Sequence, residues 1–139
     1  MALSLVLRLS SAGSTAEYGL LAPSAFIPLA ERTGIIAQIG DWVIDEACAQ
    51  FSSWRESGVV VSSVSINASA LQVRRGNLLG SLTVALQRWK VAAACLELEF
   101  TESVLLDDIQ LVAELMDDLR TLGVKLSIDD FGTGYSSLS

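Results

Sequence analysis

Three short segments of this chain alternate strictly between apolar and polar residues. Val64, Ile66 and Ala68 interleave with Ser65, Asn67 and Ser69; Leu96, Leu98 and Phe100 with Glu97, Glu99 and Thr101; Val124, Leu126 and Ile128 with Lys125, Ser127 and Asp129. Successive side chains of a strand point to opposite faces, so each segment has one apolar and one polar face. An antiparallel sheet with one wetted face would read the same way. Helical patterns separate these segments, however, and strands alternating with helices imply βα units in a mainly parallel sheet or barrel. Parallel sheets are covered on both sides, so the polar face is expected to line an interior.

The remaining elements follow from spacing and punctuation. Residues 2–9 read as a first strand, and residues 10–19, rich in Ser, Gly and Ala, as a loop. Pro23 opens a short helix that ends near Gly34. A longer helix is expected to start at Gly40 and Asp41, with Asp41 as N-cap and Gly58 as stop. Trp42, Ile44, Cys48, Phe51 and Trp54 supply much of its apolar surface. Residues 59–68 are strand-like, and residues 77–90 are helical. Leu105, Ile109, Val112, Met116 and Leu119 repeat at helical spacing up to Gly123.

The polar strand faces carry acids, and a carboxylate in an interior is costly unless it is paired or holds a metal. Asn67, Glu99, Glu102, Asp129 and Asp130 fall at or near the C-terminal ends of predicted strands, where βα barrels build their sites. One amide and four carboxylates converging there form an oxygen-only cage suited to hard divalent cations. The chain has no histidine, which excludes Ser-His and Cys-His catalysis and His-ligated metals within it. Charge is uneven: residues 1–96 carry a net +1 and residues 97–139 a net -8. The overall -7 argues against nonspecific binding to a nucleic-acid polymer, which needs cations to neutralise phosphates. Cys48 and Cys95 form no CxxC pattern and read as buried thiols in a reducing, cytoplasmic setting. No run is long enough to span a bilayer, and the apolar start, interrupted by Arg8, reads as strand rather than signal peptide.

The stretch D-D-F-G-T-G-Y-S-S-L (129–138) contains the D-F-G of protein kinases, but no Gly-rich loop, V-A-I-K or H-R-D accompanies it. An Asp pair at a strand end also suits phosphate-accepting receiver domains, yet there it follows the first strand, not the fourth. The ordered set of strings fits another family. P-S-A-F-I-P-L-A-E-R-T-G-I-I-A-Q-I-G-D-W-V, S-I-N-A-S-A-L-Q, L-E-L-E-F-T-E-S and D-D-F-G-T-G-Y-S-S-L together resemble the EAL domain, a bacterial phosphodiesterase that opens cyclic di-GMP. The resemblance runs from about residue 3 to residue 139. It implies an α/β fold of TIM-type barrel architecture with two magnesium or manganese ions at a phosphodiester. By position, Asn67, Glu99, Glu102 and Asp129 match metal ligands. Asp130 matches the neighbouring acid, a metal ligand or part of the activated-water site. Arg8 matches a substrate-phosphate contact, and F-G-T-G-Y a loop linked to metal binding and dimer contacts.

Two departures from the family pattern shape the expected function. Ser4 stands where the first-strand Glu of the family's Glu-Ala-Leu motif belongs, and the first acid of the chain is Glu17. A full barrel needs about 250 residues, so residues 1–139 are expected to form a partial EAL domain holding about the first four strands. The expectation is therefore a domain of cyclic di-GMP signalling whose hydrolysis to linear pGpG is impaired in this chain. Three alternatives stay open: an EAL phosphodiesterase domain whose second half was lost, a degenerate module that binds nucleotide or protein, and a fragment without independent activity. The expected partners are cyclic di-GMP, a second copy, or an attached signalling domain.

Overall fold

The computed structural model describes residues 13–15, 19–21, 23–68, 70–75 and 77–129. The expected first strand over residues 2–9 lies outside them. The region expected as a loop contains a small antiparallel hairpin, β1 (Gly13–Thr15) with β2 (Gly19–Leu21). Its ladder is three residues long, and Gly-Ser-Thr in β1 with Gly-Leu-Leu in β2 give no apolar alternation to announce it.

Helix α1 (Pro23–Thr33) begins at proline and ends at Gly34, which takes φ 80°. Helix α2 spans Ile36–Glu56, five residues earlier than the Asp41 start expected from sequence. No side chain caps it, and Ile36 is buried in its first turn. The burial of one apolar side chain thus outweighs the capping signal at Asp41, which tertiary contacts use instead. Ile44, Ala47, Cys48 and Phe51 recur at i, i+3, i+4 and i+7 and are buried, whereas Trp42 is about half exposed, at 48%. The helix stops at Gly58, φ 78°.

Strand β3 is confined to Val64–Ala68, shorter than the expected 59–68, and Val60 before it is exposed. A short helix, α3 (Ala70–Arg75), follows and was not signalled by its six residues. Helix α4 (Leu78–Trp89) ends in a left-handed Lys90. A 3-10 turn, Ala93–Cys95, leads into β4 (Leu96–Thr101). The helical repeat beyond it divides into α5 (Glu102–Asp107) and α6 (Ile109–Leu122). Asp108 breaks the run with extended backbone, and its carboxylate accepts a hydrogen bond from the Leu111 amide at 3.1 Å. Ile109, placed by its spacing on the apolar stripe, is exposed at 73% because the break rotates it outward. Gly123, φ 102°, closes α6, and β5 (Lys125–Asp129) ends the described chain.

Strands β3, β4 and β5 form a parallel sheet in that order. Their apolar rows align across the register: Val64 with Leu96, Ile66 with Leu98, Ala68 with Phe100, and Leu98 with Leu126. That sheet face forms one core with buried residues of α2, α4 and α6, among them Phe51, Leu82, Leu86, Val112 and Leu119. Cys48 is fully buried and Cys95 half-buried, so only the first thiol matches the expectation, and both are free. Burial, reinforced by the Asp45 carboxylate, pushes the Cys48 thiol from 9.0 up to about 11. No helix among the described residues is long and apolar enough to cross a membrane.

Candidate functional site

The register that aligns the apolar rows also stacks the polar ones. Ser65, Glu97 and Lys125 form one row; Asn67, Glu99 and Ser127 the next; Thr101 and Asp129 the last. Neighbours in a row are about 4.8 Å apart and rows about 6.6 Å apart along the strand. Within the first row, Ser65 Oγ lies 3.4 Å from Glu97 Oε2, and Lys125 stands opposite Glu97 on the adjacent strand.

Asn67 and Glu99 are direct neighbours across β3 and β4, which strand register alone shows. Asp129 is the last residue of β5, opposite Thr101, one row nearer the C-terminal edge than Glu99. Glu102 is the first residue of α5, immediately after β4, where a carboxylate also suits the positive end of the helix. Asn67 is exposed, and Glu99 and Glu102 are half-buried. Asn67, Glu99, Glu102 and Asp129 therefore belong to one end of one sheet. Arg8, Asp130 and the F-G-T-G-Y loop lie outside the described residues, as does Ser4. Two positions that motif reading did not single out share the rows: Ser127 and Thr101. Alternation had placed both on the polar face, but only the register shows which acids they accompany.

The donor types, carboxylate and amide oxygen without nitrogen or sulfur, are those that hard cations take. The ion pairs among the described residues, Arg88 with Asp45 and Arg120 with Asp117, take neither Glu99 nor Glu102. Among the described residues, no three acidic or cysteine side chains are yet grouped closely enough to hold a metal. Four oxygen-bearing residues, Asn67, Glu99, Glu102 and Asp129, fall in the same strand-end region.

The EAL-domain profile matches residues 8–139, nearly the whole chain. The bifunctional diguanylate cyclase/cyclic di-GMP phosphodiesterase MucR of Pseudomonas aeruginosa is 45% identical over 122 residues, covering 88% of this chain and 18% of that protein. The cyclic di-GMP phosphodiesterase NbdA of the same organism is 46% identical over 121 residues, covering 87% and 16%. The oxygen sensor protein DosP of Escherichia coli is 42% identical, covering 88% and 15%. A solved MucR phosphodiesterase in complex with cyclic di-GMP superposes with a TM-score of 0.83 at 43% identity, over 91% of this chain and 51% of that one. The chain belongs to the EAL-domain family, and its parallel sheet and flanking helices are part of that family's TIM-type β/α barrel. It spans less than a fifth of these curated relatives and about half of the solved MucR chain.

Proposed function

We propose that this chain supplies part of a metal-dependent cyclic di-GMP site, and that it binds the nucleotide better than it hydrolyses it. The observation that carries the reading is the register: Asn67 beside Glu99, with Glu102 and Asp129 at the same sheet end. Similarity to the MucR phosphodiesterase, solved with cyclic di-GMP, supports the ligand. In this reading Asn67, Glu99, Glu102 and Asp129 hold magnesium or manganese through their side-chain oxygens. When bound, such ions supply Lewis-acid polarisation of a phosphodiester and acidify water. The Arg8 guanidinium orients the phosphate through charge-assisted hydrogen bonds. The Asp130 carboxylate would accept a proton from a water whose oxygen bonds to phosphorus as one ring P–O bond breaks, and would pass a proton to the departing oxygen, which would leave linear pGpG.

Ser4 weakens this chemistry, because a neutral hydroxyl replaces a carboxylate at the dication. That substitution is the reason the reading puts binding ahead of turnover. The test is calorimetry of the purified chain with cyclic di-GMP and manganese, beside an assay for pGpG. The reading expects manganese-dependent binding that Asp129→Asn and Glu99→Gln reduce, with turnover no higher than that of Asp129→Asn. Binding that is absent, or indifferent to manganese and to both substitutions, overturns it. Turnover above the Asp129→Asn control returns the chain to the enzyme class.

A further inference from the structure

Helix α2 makes close contacts at adjoining positions with the two helices that follow β3. Asp41 Oδ1 accepts a hydrogen bond from Ser81 Oγ, and Asp45 Oδ1 accepts from Arg88 Nη1 and Trp89 Nε1, both at 3.0 Å. These contacts hold α4. At Gly40, beside Asp41, a Cβ would overlap Gln72 Nε2 and Cδ and stand 2.9 Å from Oε1. Gln72 belongs to α3, and α3 begins three residues after Asn67. The overlapping atoms are the flexible end of Gln72, but the residue is buried, at 6% exposure, and displacing the amide would risk a buried polar group losing its partners. Glycine weakens a helix interior, so its place within α2 calls for a reason, and the close approach of Gln72 is one.

We infer that Gly40 is a positioning residue for Asn67. The missing side chain lets Gln72 seat α3 on α2, and that seat sets the path of the chain as it leaves β3 just beyond Asn67. The inference rests on the reading of Asn67 as a metal ligand. Three variants test it, Gly40→Ala, Gln72→Ala and the double variant, by two readouts on the purified chain. One is manganese affinity from the electron paramagnetic resonance of the free ion; the other is amide hydrogen exchange over residues 70–75 without metal. Gly40→Ala is expected to weaken manganese binding roughly tenfold, as changes behind a metal ligand do, and to speed exchange in α3. In the double variant both are expected to return to the level of Gln72→Ala, because the overlap is gone. Wild-type affinity in Gly40→Ala, unchanged α3 exchange, or a double variant no better than Gly40→Ala overturns the inference. If the wild-type chain takes up no manganese, the metal-site reading falls instead, and exchange in α3 decides the packing claim alone.

Discussion

At the scale of single residues, the functional question turns on Ser4. In the proposed reading Ser4 stands where the family resemblance puts a carboxylate, and a serine hydroxyl would contribute no charge to a bound dication. Ser4→Glu is expected to tighten manganese binding by about tenfold or more, a change measurable by calorimetry. No gain would place the loss elsewhere than at this position. Cys48 makes a separate prediction. Its thiol is pushed from 9.0 up to about 11, first by burial and second by Asp45. Between these values the unfolded chain gives up the proton and the folded chain keeps it. Stability therefore falls as pH rises through that window and is unaffected by this group below it. Urea unfolding at pH 8 and pH 10.5 should show a larger loss for the wild type than for Cys48→Ala. The identity of these residues was plain in the sequence, but the shift of Cys48 was not, since it comes from helices and strands that close over it.

At the scale of elements, the helix ends show where local signals prevail and where they do not. Gly34, Gly58 and Gly123 all take positive φ and end their helices as the sequence indicated. Asp41 looked like an N-cap but lies inside α2, because Ile36 gains more from burial than a cap would add. Asp108, which the apolar repeat passed over, is the real cap. Asp108→Ala is expected to cost about 1 kcal/mol in urea unfolding, with most of the added exchange at the start of α6. Lys90 is the one non-glycine residue with positive φ among those described, at 53°. Lys90→Gly removes that steric cost and is expected to stabilise the chain by up to about 1 kcal/mol, read in the same experiment. A left-handed C-cap on lysine carries no composition signal, so only the coordinates disclose it.

At the scale of the whole molecule, one sheet face is buried and the other presents its acids. Among the described residues β5 has a strand partner on one side only, and Ile128 on its apolar face is 46% exposed. Such an edge invites further pairing. Sedimentation velocity of the isolated chain is expected to show concentration-dependent association that Ile128→Lys weakens; a monodisperse monomer would count against it. The parallel sheet, the two-faced strands and the family were legible in the sequence because period-two alternation and ordered motifs are local properties. The grouping of Asn67 with Glu99, and of Thr101 with Asp129, was not, because residues 30 or so apart meet only through strand register. The same holds for Gly40 and Gln72. By itself the sequence determined which residues could carry the chemistry and which face of each strand they would occupy. Only the tertiary structure decided which of them are neighbours, since register and helix seating are set by the packing of a shared core rather than by any segment alone.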